Sequence, residues 1–290
     1  MIALLLEPFA YEYMARAIWV SALVGALCGC LSSFLVLKGW SLMGDALSHA
    51  VVPGVAIAAL LGLPYAFGAF VAALGAAGSI ILVRRITILK EDVAIGLVFT
   101  SFFGLGLFIV SLWPAAVSVQ TITFGNILAI GDQEAAQVVG ITLLALIAIG
   151  LKWRDLMLAF FDETQARAVG FNPGHLRLVF FMLLSAACVA ALQAVGAILV
   201  IALVVTPGAT AYLLTDRFGQ MLWIATALGA ACSALGAYVS FFLDGATGAM
   251  IVLFQSGLFV LAFLFAPKHG QLAQWRAQRT ARKREQGARA

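Results

Sequence analysis

Charged residues are scarce in this chain. Only 10% of its 290 residues are Asp, Glu, Lys or Arg, whereas 63% are hydrophobic. A soluble domain carries about a quarter charged residues, and no soluble fold of this length has enough interior to bury so much apolar surface. The composition therefore excludes a soluble globular protein and indicates that the solvent is lipid.

Cysteine is rare as well. All four cysteines lie inside apolar runs. Cys28 and Cys30 are two residues apart, which places their side chains on different sides of a helix, so they cannot chelate one ion together. Small buried packing residues are the simpler interpretation, and a disulfide framework is not indicated. The other two cysteines are Cys188 and Cys232.

A phosphate-binding loop of the Gly-Lys-Ser/Thr type is missing, because no glycine in the chain precedes a lysine. If ATP drives transport, the ATPase must be another chain, and this chain is then not itself an enzyme. The basic region of a secretory signal is missing too, since Glu7 and Glu12 are the only charges before Arg16. We expect the first apolar run to be retained as a spanning helix.

What the chain has instead is a series of long apolar runs, most of them close to the ~20 residues that a spanning helix needs. In lipid only helices and closed barrels satisfy their backbone polar groups, and alternating strand patterns are absent here. We predict an all-α integral membrane protein with about nine spanning helices, within a range of eight to ten. The predicted spans are 17–37, 40–62, 65–83, 93–112, 136–151, 174–192, 195–214, 219–242 and 246–266.

The basic residues between these spans predict the orientation. With nine spans every basic cluster lies on one side, which the positive-inside rule assigns to the cytoplasm. Residues 1–270 then form a transmembrane permease domain, and residues 271–290 form a basic cytoplasmic tail. Because the tail follows a spanning helix directly, we interpret it as an anchor near anionic lipid and not as a nucleic-acid binding segment. The clusters are Lys38; Arg84, Arg85 and Lys90; Lys152, Arg154, Arg167 and Arg177; Arg217; and Lys268 with the tail.

The longest cytoplasmic connection, Lys152 to His175, contains a short helical pattern over residues 161–170. Asp162 is a suitable N-cap, an acidic residue follows it, and Gly170 ends the pattern. A short cytoplasmic helix between two spans is what an external motor domain would grip. An ordinary loop helix is the alternative.

Two ionisable residues, Asp45 and His49, lie inside a predicted span. They are four residues apart and share one helix face, about 9 Å and about 15 Å into a core of about 30 Å if the span begins near Gly39. An Asp at the centre of a span costs about 2.5–3.5 kcal/mol, so it is expected to face a cavity or a partner. Pro53 has no N–H for the carbonyl of His49, which places a carboxylate, an imidazole and a carbonyl oxygen on one wall. This donor set suits a divalent transition ion, while a structural Asp–His pair and a proton relay remain alternatives.

The segment from Leu37 to Ala56, with its pattern Gly-Asp-x-x-Ser-His-x-x-x-Pro-Gly, resembles the permease subunits of bacterial manganese, zinc and iron ABC importers, the ABC-3 family. The similarity recurs at 124–129, 161–170, 193–196 and 206–212 and ends at 266–268. It covers the chain to about residue 270 and not the tail. The resemblance implies the fold of a type II ABC importer permease, a multi-pass protein of the bacterial inner membrane that acts as a homodimer.

The resemblance also implies a site, a cargo and partners. Asp45 and His49 would contact the metal on the translocation path, and we add Asn126 as a candidate gate residue. The transported ion would be Mn²⁺ in first place, or Fe²⁺ or Zn²⁺, and no tightly bound cofactor is expected. A metal-binding protein would dock outside, and two cytoplasmic ATPase subunits would grip the 161–170 helix. The expected coupling residues are Asp162, Glu163, Arg167 and Gly170.

Two other functions would use the same residues. A proton-coupled secondary metal transporter would use Asp45 and His49 as its relay, but the short 161–170 helix argues for a motor partner. An intramembrane hydrolase would need a fuller set of metal ligands such as His-Glu-x-x-His, and the sequence contains no such motif.

Overall fold

The computed structural model describes residues 7–113, 127 and 130–266. From Glu12 onward these residues form eleven α-helices and no strand. The bounds are α1 (Glu12–Lys38), α2 (Ser41–Ala50), α3 (Val52–Leu61), α4 (Tyr65–Ile86), α5 (Glu91–Leu112), α6 (Asp132–Phe161), α7 (Glu163–Ala168), α8 (Pro173–Val195), α9 (Ala197–Leu214), α10 (Phe218–Leu243) and α11 (Thr247–Phe265).

The nine predicted spans each correspond to helical structure. Eight helical segments among the described residues are long and apolar enough to cross a membrane, and α2 and α3 together form one of them, Ser41–Leu61. The ninth apolar segment is the shorter helix α9. The prediction of an all-α protein with about nine spans is therefore confirmed, with α9 as the short member.

Helix α6 is longer than the sequence pattern predicted. The predicted span ended at residue 151, but the helix continues to Phe161. Lys152 and Asp155 form an ion pair one turn apart, at 3.1 Å, so the charges do not break the helix. The last turns still bury Leu156 and Phe160. Packing against the bundle therefore extends the helix past the charges, and most of the connection predicted from Lys152 to His175 is helical.

Helix α1 lies at the centre of the bundle and packs against α6, α8, α9 and α10. Its closest approach is to α10, where a methyl group on Gly25 would overlap the carbonyl oxygen of Gly229 and a methyl on Gly229 would overlap that of Gly25. Such close backbone contact needs small residues on both helices. Cys28 and Cys30 are buried on α1, which agrees with their interpretation as packing residues.

Contacts between helix ends agree with the predicted alternation across the membrane. At the end predicted to be cytoplasmic, Lys38 Nζ donates a hydrogen bond of 2.6 Å to the carbonyl oxygen of Phe160. At the opposite end of the same two helices, the Arg16 guanidinium pairs with Asp132 and, at 3.1 Å, with Glu12. The two ends of α1 therefore contact the matching ends of α6.

Candidate functional site

The segment that carries Asp45 and His49 is one span made of two helices. Helix α2 ends at Ala50, Val51 has φ −72° and ψ −21°, and α3 begins at Val52 with Pro53 in its first turn. The dihedral angles of Val51 are close to helical, so the chain continues in nearly the same direction across the break. Gly106 of α5 lies against the break, because a methyl group there would be 2.8 Å from the nitrogen of Pro53.

Asp45 and His49 face each other on α2. The Oδ1 atom of Asp45 is 3.5 Å from Nε2 of His49, and the side chains are 32% and 19% exposed. This separation is long for a hydrogen bond. It suits two ligands of one ion, because two bonds of about 2.1 Å that meet at about 110° place the donor atoms about 3.4 Å apart.

The other side of the imidazole is aromatic. The ring of His49 makes edge contacts with Phe99 and Phe103 of α5, with centroid distances of 5.6 and 5.4 Å. The two phenyl rings are themselves stacked at 5.9 Å. The two phenyl rings restrict rotation of the imidazole, and its polar neighbour is the carboxylate of Asp45. Sequence reasoning missed this pair, although its four-residue spacing puts both rings on one helix face.

The remaining polar groups of the motif are occupied within the helix. Ser48 is fully buried, and its Oγ donates to the carbonyl oxygens of Gly44 and Asp45 at 2.9 Å each. The carbonyl oxygen of His49, which the sequence suggested as a ligand, accepts the backbone N–H of Val51. One of its two lone pairs is therefore in use, so the side chains of Asp45 and His49 are the polar groups of the motif best placed to bind an ion.

The face of α2 next to Asp45 is packed against the bundle. A methyl group on Gly44 would lie 2.9 Å from Cγ1 of Val204 on α9. The carbonyl oxygen of Gly44 is 3.9 Å from Sγ of Cys188 on α8. The sequence marked Gly44 only as part of the motif, whereas the structure shows that it lets α2 approach α9 directly beside Asp45.

The donor set of one chain is small. Among the residues that the structure describes, no group of three or more His, Cys, Asp or Glu side chains could hold a metal ion. Asp45 and His49 would provide only two protein ligands to an ion, which is too few for a closed tetrahedral site. Asn126, the candidate gate residue, lies outside the described residues and stays a prediction.

The short helix predicted at 161–170 is present as α7. The Oδ1 atom of Asp162 accepts the backbone N–H of Gln165 at 2.8 Å, and Gly170 follows the helix with φ +92°, a left-handed conformation that favours glycine. Glu163 pairs with Arg177 at the start of α8, and its other oxygen is 3.8 Å from Arg167. The structure confirms the predicted cap and stop and pairs Glu163 with Arg167. The coupling role of Asp162, Glu163, Arg167 and Gly170 stays a prediction.

Comparison with known proteins connects these features. The model of the ABC 3 transport family matches residues 10–266, which is almost the whole of the described chain. The chain belongs to this family. It is therefore a membrane permease of an ABC transport system and a multi-pass protein of the bacterial inner membrane. The family predicted from the Gly-Asp-x-x-Ser-His segment is confirmed.

Relatives within the family are similar over almost their full length. The permease is 61% identical over 273 residues to the chelated iron transport system membrane protein YfeC of Yersinia pestis, a match that covers 94% of this chain and 93% of the relative. It is 48% identical over 273 residues to the manganese transport system membrane protein MntB of Synechocystis, with 94% and 89% covered.

A solved structure shares the fold. A chain of PsaBC from Streptococcus pneumoniae, determined in complex with a Fab, superposes with a TM-score of 0.84 at 35% sequence identity. The match covers 93% of this permease and 98% of that chain. The predicted fold of an ABC importer permease is therefore confirmed.

Proposed function

We propose that this permease carries a divalent transition metal ion into the cytoplasm, with Mn²⁺ as the first choice of cargo and Fe²⁺ or Zn²⁺ as the alternatives. Its ATP is hydrolysed by a separate subunit. The observation that carries the proposal is the Asp45–His49 pair, a partly exposed carboxylate and imidazole 3.5 Å apart at membrane depth. Relatives named for chelated iron and for manganese transport support the class of cargo.

The chemistry of the pair fits a transported ion. Oxygen and nitrogen donors suit borderline divalent ions such as Mn²⁺ and Fe²⁺, whereas soft sulfur ligands would hold metal more tightly. Cys188 contacts the carbonyl oxygen of Gly44, but it is fully buried and is not part of the exposed face of Asp45 and His49.

A second copy of the chain completes the site in this proposal. The Asp45–His49 face is partly exposed in a single chain, and a twofold axis beside it would bring a second carboxylate and a second imidazole to the same ion. Four protein ligands would complete a tetrahedral site for Zn²⁺, whereas Mn²⁺ would add water to reach octahedral coordination. The homodimer then has its translocation path along the shared face.

In this proposal each end of the helical bundle contacts a different partner protein. Helix α7, with its capped start and its Glu163–Arg177 pair, is the contact for the ATPase subunits, because it is short, exposed and joined to α8. A metal-binding protein delivers the ion at the opposite face. No tightly bound cofactor takes part.

Transport by the complete complex tests the proposal. The test uses proteoliposomes that contain the permease, its ATPase on the inside and its binding protein on the outside. They should accumulate radioactive Mn²⁺ in the lumen when the lumen contains ATP. Asp45→Asn and His49→Gln should abolish accumulation, because each removes one of the two ligands. Asp92→Asn, the same chemical change at an exposed carboxylate of α5, is the matched control and should transport normally.

Two results would contradict the proposal. Normal Mn²⁺ uptake by Asp45→Asn would remove the site from the path. Uptake that follows a pH gradient in vesicles of the permease alone would favour a proton-coupled transporter. Competition among Mn²⁺, Fe²⁺ and Zn²⁺ in the same assay determines the preferred ion.

A further inference from the structure

Helix α9 is continuous but contains Pro207, which breaks its hydrogen-bond ladder at one position. Proline has no N–H and its ring displaces the carbonyl four residues earlier, so the hydrogen-bond ladder of the helix is weakened at this point. The break lies three residues after Val204, the residue that contacts Gly44 of α2. The position of Val204 therefore depends on how the break is held.

Ser32 of α1 is hydrogen-bonded to α9 both before and after Pro207. Its Oγ accepts the backbone N–H of Gly208 at 2.9 Å and donates to the carbonyl oxygen of Val205 at 2.9 Å. Pro207 itself leaves the carbonyl of Leu203 without its helical N–H partner. The Ser32 hydroxyl thus gives α9 two added hydrogen bonds that flank this position, from a residue 173 positions away in the sequence.

The contact is tight and fully buried. Ser32 is 0% exposed, and a methyl group on Gly208 would lie 2.6 Å from the backbone oxygen of Ser32 and overlap its hydroxyl. A buried hydroxyl is costly unless it is hydrogen-bonded, and here both its donor and its acceptor capacity are used on α9. Ser32 is hydrogen-bonded to Val205, and the preceding residue, Val204, packs against Gly44 of α2. Asp45 is the next residue after Gly44.

We propose that Ser32 is a positioning residue for transport: by bridging the proline break of α9 it fixes Val204, the surface on which Gly44 rests, and so sets the position of Asp45 on the translocation path. This inference rests on the proposed role of Asp45 as a metal ligand. Ser32 itself does not touch the metal and acts through α9 and α2.

Ser32→Ala is the direct test, because it removes both hydrogen bonds without adding volume. In proteoliposomes with the ATPase and the binding protein, we expect the initial rate of Mn²⁺ uptake per folded permease to fall about tenfold, because the N–H of Gly208 and the carbonyl of Val205 each lose a hydrogen-bond partner. Ser33→Ala is the matched control. Ser33 is the next residue of α1 and is equally buried, but its hydroxyl points to Met221 of α10 at 3.5 Å. It should transport normally.

A double-mutant cycle separates positioning from simple stability. If Ser32 acts through Val204, the loss caused by Ser32→Ala should shrink to less than about twofold in a Val204→Ala background, because coupled residues do not have additive effects. Ser32→Cys keeps a weak donor and a weak acceptor at this position and should retain more uptake than Ser32→Ala. This second variant keeps the test valid if Val204→Ala alone transports too little to measure.

Equal rates for Ser32→Ala and Ser33→Ala would overturn the inference, as would a fully additive loss in the cycle with Val204→Ala. Where Val204→Ala transports too little to measure, a loss in Ser32→Cys as large as that in Ser32→Ala would overturn it. A lower thermal stability of Ser32→Ala with an unchanged rate per folded molecule would also overturn it, since the hydroxyl would then serve only the fold. These outcomes differ from failure of the proposed function, which would appear as absent uptake in the wild-type complex or normal uptake by Asp45→Asn.

Discussion

Replacing Gly44 by alanine would put a methyl group into the contact between α2 and α9. The new Cβ would lie 2.9 Å from Cγ1 of Val204 and 3.4 Å from its Cβ. Carbon atoms that are not bonded prefer about 3.5–4.0 Å, so the two helices would have to separate by about 0.6–1.1 Å. Val204 cannot turn away, because a β-branched side chain in a helix has one strongly preferred rotamer and this one is fully buried.

The size of the effect follows from overpacking. Extra methyl groups in a packed core cost about 1–3 kcal/mol, which corresponds to about 5–150-fold in an equilibrium. Part of this cost lowers stability, and part displaces Asp45, the next residue of α2. We therefore expect Gly44→Ala to lower the initial rate of Mn²⁺ uptake by about 5- to 100-fold per folded molecule.

The compensating change is Val204→Ala, which removes the methyl group that collides. Proteoliposomes with Gly44→Ala and Val204→Ala together should regain most of the uptake that Gly44→Ala loses. Gly257→Ala in α11 is the control, because no described atom lies within 4 Å of a Cβ at that position. Normal uptake by Gly44→Ala would refute the reasoning, and so would a loss that Val204→Ala leaves unchanged.

Three further predictions concern other contacts of the bundle. Gln255→Leu should raise the unfolding temperature in detergent, by the equivalent of about 1–3 kcal/mol, because neither atom of this buried amide has a hydrogen-bond partner among the described residues; a lower temperature would contradict this. Arg177→Gln should reduce ATP-driven uptake but change the free energy of unfolding by only about 0–1 kcal/mol, the usual contribution of a surface ion pair. Exchanging Glu163 and Arg177 should restore uptake if the pair holds α7 in place. Gly54→Ala should lower the yield of folded protein, because its methyl group would overlap the carbonyl oxygen of Gly68 on α4. Backbone atoms cannot move aside as side chains can. An unchanged yield would count against close packing of α3 and α4.

Much of the fold was predictable because it depends on local chemistry. A chain with 63% hydrophobic residues must lie in lipid, and lipid permits only structures that satisfy their own backbone groups. Nine apolar runs therefore predicted the spanning helices. The cap at Asp162 and the stop at Gly170 were predictable for the same reason, since each acts within a few residues of its own position.

The candidate site was predictable only in part. A four-residue spacing puts Asp45 and His49 on one helix face in any packing, so their pairing followed from the sequence. The identity of the helix that packs against this face did not follow from the sequence. Phe99 and Phe103 contact His49 because α5 packs against α2, and no local pattern identifies the neighbour of a helix whose surroundings are apolar on every side.

The sequence by itself thus determined the solvent, the helical class, the approximate spans and the two ionisable residues on one face, because each depends on composition or on spacing within a few turns. Only the tertiary structure decided that α6 continues past its charges, that Gly44 rests on Val204, and that Ser32 bridges the break at Pro207. These features depend on which helices are neighbours. Small residues permit close approach to any partner, so they do not specify one, and the choice is made by the packing of the whole bundle.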